Sequence, residues 1–292
     1  MRKWENVYKI LKESDNWSAL EEYLIEFDEN TKPDVEDMWN IMNQVWDDMN
    51  LDNLNYTEAE LNKYYSHPVW FLNGLFIECD KTSMEHRKSI AEYFKDKNNL
   101  KIVDYGGGFG TLAKEIAKVS PTSTIDIYDP HASEFAYKNV GDFKNISIIS
   151  GIKLNHYDFL VNTDFIEHVE DPLEYIIQHN KMLKNNGVLI SHWNFSDIIK
   201  CHLPKNFHFK YSMNKIIPLL GFSDEIINEN HGHYFKKEKI VDEEDIKKAY
   251  KKARKSKNIY PIIKFISKGK KPLKIILKKL GMYDFIKRVI KN

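Results

Sequence analysis

The chain has 292 residues, with 43 Lys+Arg balanced by 43 Asp+Glu and 42% hydrophobic residues, enough to bury a substantial core in one or two domains. No run approaches the ~20 apolar residues needed to cross a bilayer, and the start MRKWENVYKILKESDNW lacks the apolar middle of a secretion signal. Cys79 and Cys201 are too few for a disulfide framework, so a cytoplasmic setting is expected.

Residues 1–98 read as helical. Trp4, Val7, Tyr8 and Leu11 fit one stripe, and Leu20, Tyr23, Leu24 and Phe27 a second. Met38, Ile41, Met42, Val45, Trp46 and Met49 form a third, opened by Asp34 after Pro33. Thr57-x-x-Glu60 is a capping box opening another helix. Tyr64, Tyr65, His67 and Trp70 then crowd around Pro68, and Asn73-Gly74 signals a turn. Ser83 is expected to start a helix over 84–94.

The most informative stretch is Leu100-Lys-Ile-Val-Asp104-Tyr-Gly106-Gly-Gly108-Phe-Gly110, which joins a β-prone run to the helical pattern Thr111–Val119. Glycines between strand and helix tolerate positive φ, let a ligand approach the backbone and leave the helix's first N–H groups facing it. A dinucleotide fingerprint would need its third glycine at 111, where the chain has Thr111. The next strand, 124–128, ends at Asp129-Pro130, where a carboxylate would meet a ribose diol; turn formation by Asp-Pro is the competing role. A strand from Tyr157 leads to Glu167-His168-Val-Glu-Asp171-Pro172, then a helical stripe to Met182-Leu183, the stop Lys184-Asn-Asn-Gly187, and a strand over 188–191.

The pattern Asp104-x-Gly106-x-Gly108-x-Gly110 resembles motif I of the class I S-adenosylmethionine-dependent methyltransferases. The Glu-His-Val-x-Asp-Pro passage is similar to that of the same enzymes, including the ubiquinone-biosynthesis O-methyltransferases. The resemblance covers residues 100–193 and implies a doubly wound, mostly parallel, seven-stranded Rossmann-like α/β sheet with S-adenosyl-L-methionine as cofactor. Asp104, Gly106, Gly108 and Gly110 would hold the methionine end, Asp129 the ribose, and the backbone near Asn162 and Thr163 the amino-acid portion. In such enzymes the preceding segment often covers the site, which makes Tyr64, Tyr65, His67 and Trp70 lid candidates; burial in a core is the alternative. The family's acidic residue after the third strand is missing from Gly151-Ile152-Lys153-Leu154, so Ile152 and backbone groups are expected to face adenine.

Five of the 11 histidines fall between 192 and 233, and histidine's ordinary pKa suits proton removal near neutrality. His192, at a strand's carboxyl end, is the first choice for a general base, and His168 the second. A helix over 213–220, a strand opening at Gly221-Phe222 and a hairpin over 226–235 are expected next. His231-x-His233 with His202 and His208 could ligate a metal, but no metal is expected, because alternating strand histidines commonly face solvent.

Residues 236–292 carry 20 Lys+Arg against 6 Asp+Glu, while the rest carries 23 against 37. Apolar residues recur there at helical spacing, at Ile262, Ile263 and Ile266, then Leu273 to Leu280, then Phe285 to Ile290, with Gly269, Pro272 and Gly281 as breaks. A peripheral membrane contact is favoured over RNA, since the charges accompany aliphatics rather than aromatics; packing on the chain's own domain or on a second subunit is the alternative. The ending is also similar to the tails of bacterial surface-polysaccharide enzymes.

The expected organisation is a helical cap (1–98), a cofactor-binding domain (99–240) and a basic amphipathic tail (241–292). The preferred activity is O-methylation of a small-molecule acceptor, a sugar or sugar-phosphate. N-methylation, an NAD-linked sugar oxidoreductase or epimerase, and a non-catalytic scaffold stay open. No nucleic-acid partner is expected, and the oligomeric state stays open.

Overall fold

The computed structural model describes residues 1–224, 227–229 and 232–268. An α/β fold is built on a mostly parallel sheet. Its parallel strands are β1 (Lys101–Tyr105), β2 (Thr124–Tyr128), β3 (Ile146–Ile149), β4 (Tyr157–Thr163) and β5 (Leu183–His192). Two further strands, β6 (Ile227–Glu229) and β7 (Gly232–Lys236), give the order β3-β2-β1-β4-β5-β7-β6, with β7 antiparallel to both neighbours. Ile102 and Val103 are both fully buried, as a strand covered on both faces requires. Strand order reverses between β1 and β4, which opens a crevice at their carboxyl ends.

Helices cover both faces. On one side α5 (Lys81–Glu92), α6 (Thr111–Val119) and α7 (Glu134–Val140) bring Ile90, Leu112, Ile116 and Val140 onto Ile102, Ile125 and Val161. On the other, α8 (Pro172–Met182), α9 (Met213–Ile216) and α10 (Glu243–Lys268) bring Ile176, Ile216, Ala249 and Ala253 onto Val103, Leu160 and Leu189. The expected helix 213–220 splits: α9 gives way to a 3-10 turn over Ile217–Leu220, because Pro218 cannot donate a helical hydrogen bond. Phe222 opens no strand but makes a single bridge to Lys237.

Four helices precede this unit: α1 (Trp4–Lys12), α2 (Val35–Asp48), α3 (Glu58–Tyr65) and α4 (Val69–Cys79). Asp34 caps α2 by accepting from the Glu36 and Asp37 N–H groups, and Thr57 with Glu60 forms the capping box of α3. Helix α5 begins at Lys81 rather than Ser83, because Asp80 is its cap and accepts from the Ser83 N–H at 2.9 Å. Asn73-Gly74 makes no turn but lies inside α4. A Cβ on Gly74 would stand 2.4 Å from Phe109 Cδ2, so the glycine serves the close approach of α4 to the glycine segment. Around Phe109, Ile199, Cys201 and Leu203, the core of α1–α4 is continuous with the sheet-bearing part.

Glu78 on α4 is the polar counterpart of that joint. Its carboxylate, 4% exposed, accepts from Arg2 Nε, Lys114 Nζ, Thr111 Oγ1 (3.2 Å) and Asn139 Nδ2 (2.7 Å). Asn139 Nδ2 also donates to the Phe109 carbonyl at 3.0 Å. Burial opposes its ionisation, but the bonds from Lys114, Asn139 and Arg2 outweigh that and hold its pKa below the ordinary 4.5.

The basic tail begins as α10, which packs on its own domain. Ala249, Ala253 and Ile263 are buried and Tyr250 donates to Asp171 Oδ2 at 2.6 Å, while Ile262 is 46% exposed. The later stripes, Leu273 to Leu280 and Phe285 to Ile290, lie outside the described residues. Among the described residues no helix is long and apolar enough to cross a membrane.

Two outcomes follow from the joint. Glu78→Gln leaves Lys114 buried without its counter-charge and should cost about 3 kcal/mol at pH 7. Because the folded pKa is depressed, the parent's advantage in thermal melts is present above 4.5 and fades as the pH falls below it. Gly74→Ala should lower the melting temperature although alanine is intrinsically better in a helix by ~1 kcal/mol; an unchanged or raised value would show that Phe109 makes room.

Candidate active site

The glycine segment leaves β1 and enters α6. Gly106, Gly108 and Gly110 all have left-handed backbones, with φ of 74°, 48° and 73°. Gly110 is forced twice over, since a Cβ there would also lie 2.6 Å from Val140 Cγ1. Beyond the tip of β2, Asp129 Oδ2 accepts from the Gly108 N–H and Oδ1 from the His131 N–H, each at 2.8 Å. One carboxylate thus ties the glycine turn to the second strand and keeps lone pairs toward the crevice.

A cavity of about 1630 Å³ occupies the crevice and is lined by Asp104, Gly106, Gly108, Asp129, Thr163, His168 and His192 among others. Gly110 shapes the turn but is not among the lining residues, and neither is Ile152, which is partly buried against the core. Asn162 is fully buried: its amide oxygen accepts from Ser191 Oγ, and Nδ2 meets His179 Nδ1 at 3.2 Å. It braces the β4–β5 pair, while Thr163 reaches the cavity.

Asp104 is 1% exposed, and its Oδ2 has no hydrogen-bond partner among the described residues. Burial pushes its carboxyl up to about 7, against the pull of the Arg87 guanidinium. A buried carboxylate oxygen without a partner, on a residue that lines the cavity, suits a cationic ligand group.

His192 ends β5, and its Nδ1 lies 2.7 Å from Asp164 Oδ1. The Asp164 N–H donates to the His192 carbonyl at 3.1 Å, and Asp164 holds a left-handed φ of 52°, unusual for a non-glycine residue. Burial works against the imidazolium, but the hydrogen bond and charge of Asp164, with Glu167, raise the pKa of His192 above its ordinary value. Asp164 itself is held low: the His192 bond and the His192 and Arg87 charges overcome its burial. The His86 ring stands 4.6 Å from that of His192.

Three residues on, Glu167 is 1% exposed; Oε1 accepts from the Asn194 N–H at 2.7 Å, and Oε2 is without a partner among the described residues. Burial, then the Asp164 charge, pushes its carboxyl up to about 8. His168 beside it is pushed down to about 3 by burial and by His202, whose ring lies 4.7 Å away.

Of the aromatic run, Tyr65, His67 and Trp70 line the cavity. Tyr65 Oη donates to the His168 carbonyl at 3.1 Å, and Trp70 stands perpendicular to the His168 ring at 5.9 Å. His67 Nδ1 accepts from the Val69 N–H, a helix-entry role. Tyr64 is buried and donates to the Met42 carbonyl, so it is core and not lining. His231 lies outside the described residues, and His233 stacks on Trp193 at 4.1 Å.

Arg87, His86, Asp164 and Glu167 take part although the sequence did not single them out as site residues. For Asp164 and Glu167 the signal was at hand, as a carboxylate at the end of β4 followed by Glu-His. Arg87 and His86 lie on α5, in a segment whose sequence carries no motif.

A family model described as a methyltransferase domain matches residues 82–249. Among curated relatives, the chain is 32% identical over 100 residues to a malonyl-acyl-carrier-protein O-methyltransferase of Halalkalibacterium halodurans, covering 30% of this chain and 37% of that one. It is 28% identical over 145 residues to a ubiquinone biosynthesis O-methyltransferase of Rickettsia canadensis, covering 46% and 61%. The match thus spans between about a third and three fifths of those relatives' lengths. A solved S-adenosylmethionine-dependent methyltransferase of Aquifex aeolicus aligns at 15% identity and a TM-score of 0.46, covering 63% of this chain and all of that one. With a family model matching more than half of its length, this chain belongs to the methyltransferase domain family of the class I S-adenosylmethionine-dependent superfamily.

Proposed function

We propose that this protein methylates a hydroxyl of a small neutral acceptor, a sugar ring in the preferred reading, with His192 as general base. The observation that carries it is the Asp164–His192 pair, which opens on the same cavity as the glycine turn and Asp129. Asp129 takes the ribose hydroxyls on its remaining lone pairs. Asp104, with its open Oδ2, and the N–H groups of the glycine turn receive the methionine end, beside the backbone at Asn162 and Thr163. When bound, S-adenosylmethionine supplies an activated methyl, so alignment and water exclusion are left to the protein.

Asp164 fixes the His192 tautomer: with Nδ1–H donated to the carboxylate, Nε2 carries the lone pair that accepts the hydroxyl proton. His168, second choice as base, is held neutral and packed between Trp70 and His202, which suits it to shaping the pocket. Residues before β1, Tyr65 and Trp70 among them, act as the lid that excludes water. Their rings give an apolar face for a sugar to stack on, and the many carboxylates can bind its hydroxyls. Arg87 is the one Lys or Arg among the described lining residues, which argues for a neutral sugar rather than a sugar-phosphate.

Asp129→Ala should weaken S-adenosylmethionine binding by at least tenfold in calorimetry while the chain stays folded by circular dichroism, its melting temperature lowered only by loss of the Gly108 and His131 bonds; affinity within twofold of the parent counts against the site. Asp164→Asn and His192→Ala should each lower kcat by about 10²- to 10⁴-fold on a hydroxyl acceptor. A free amine acceptor needs less help from a base, so near-parental rates would turn the reading toward N-methylation.

Membrane contact through the basic tail is part of the same proposal. Because α10 is part of the core, the truncation that tests this contact is made after Lys268. The shortened chain should keep its melting temperature and lose binding to anionic vesicles; equal binding by both chains removes the membrane contact.

A further inference from the structure

Glu167, His168 and His202 each offer a ligand atom within 4.8 Å of the other two. All three line the cavity. Glu167 Oε2 and His168 Nδ1 are both buried without a hydrogen-bond partner among the described residues, although the other oxygen of Glu167 is fixed by the Asn194 N–H. A bare buried carboxylate oxygen beside a bare imidazole nitrogen is costly unless something binds both.

His202 completes the set from a different segment. Its Nδ1 lies 2.9 Å from the Ser196 carbonyl, which can only accept, so Nδ1 carries the hydrogen and Nε2 the lone pair. A backbone carbonyl fixing the tautomer of an imidazole is the outer-shell arrangement of metal-bound histidines. The His168 ring is oriented in turn by the Cys201 backbone, and Tyr65 holds the His168 carbonyl.

We propose that Glu167, His168 and His202 form a divalent-cation site of the Mn²⁺, Co²⁺ and Zn²⁺ class, distinct from the alternating strand histidines that the sequence suggested. Two imidazoles with one carboxylate favour these ions over Mg²⁺ or Ca²⁺, which prefer all-oxygen sets. Three protein ligands leave coordination positions open, and the open side is the cavity. There the cation takes an oxygen of the acceptor, lowering the affinity of that hydroxyl for its proton close to His192, a role that rests on the proposed methyl transfer. The cation is a Lewis acid throughout and undergoes no redox change.

The test is binding of Co²⁺ to the full chain after chelator treatment, read by visible absorption and calorimetry. One Co²⁺ per chain is expected. Glu167→Gln and His202→Ala should each weaken it by more than about 100-fold, beyond the 10- to 100-fold of an outer-shell partner, with circular dichroism melts verifying that both variants fold. No stoichiometric uptake by the folded parent, or undiminished uptake by both folded variants, overturns the site. Tight Co²⁺ binding with methyl transfer indifferent to chelator overturns the acceptor role alone. S-adenosylmethionine affinity, measured separately on the chelator-treated protein, reports on the cofactor reading without involving the cation.

Discussion

The parallel register of β1, β4 and β5 decides where every reactive group lies. Asp104 pairs with Val161, and Thr163 with His192, so the motif I carboxylate, the end of β4 and the end of β5 reach one edge together. Side chains on a strand alternate, so a slip of one residue would turn His192 from the crevice and put Ser191 in its place. Apolar Leu160 and Val161, buried on opposite faces, fix the register against such a slip, and the Asn162–Ser191–His179 cluster locks it with polar bonds. Asn162 therefore contributes by holding β4 and β5 in step, which is a precondition for the Asp164–His192 pair one layer above.

Charge is the second constraint. Asp104, Asp129, Asp164 and Glu167 line the cavity together, with Arg87 interacting with two of them. Gathering so many carboxylates is costly, and the protein meets the cost unevenly: half-buried Asp129 is held by backbone N–H groups and part-exposed Asp164 by His192, while the buried Asp104 and Glu167 each keep an oxygen without a partner among the described residues. Those two are also the carboxyls pushed up toward neutrality. On the proposed chemistry this imbalance has a use. A sulfonium bound beside these carboxyls favours their ionised forms, and ionised carboxylates hold it more strongly than the neutral thioether left after transfer, so the same electrostatics that load the site also loosen the product.

Local chemistry made much of the fold legible. The glycine turn, the strand 124–128 and the helix over 111–119 sit where periodicity put them, and the caps at Asp34 and Thr57 are formed as their spacing implies. What failed was mostly what depends on distant partners. Asn73-Gly74 reads as a turn because glycine is flexible, yet here it is glycine because Phe109, far along the chain, needs the space. The expected helix at 213–220 is a different case, since the break comes from Pro218 inside it, a local signal that outweighs the apolar spacing of Ile216, Ile217 and Leu220. Arg87 and His86 are invisible in sequence because their meaning comes from Asp104, Asp164 and His192, which lie later in the chain.

The joint between the N-terminal helices and the sheet also constrains how an acceptor enters. Helix α4 cannot swing away without exposing Phe109 and breaking the four bonds to Glu78, so moving it costs apolar burial and a buried ion pair at once. Helix α3 is held more lightly. It buries Leu61 and Tyr64, and its C-terminal edge is tied across the cavity by Tyr65 to the His168 carbonyl and by Ser66 Oγ to His131 Nδ1 at 3.1 Å. Opening at α3 therefore gives up less than moving α4, and its two ties end on His131, beside Asp129 on the cofactor side, and on His168, on the acceptor side. On the proposed reading of Tyr65 and Trp70 as a lid, these contacts make α3, and not the whole helical region, the element whose displacement would admit an acceptor.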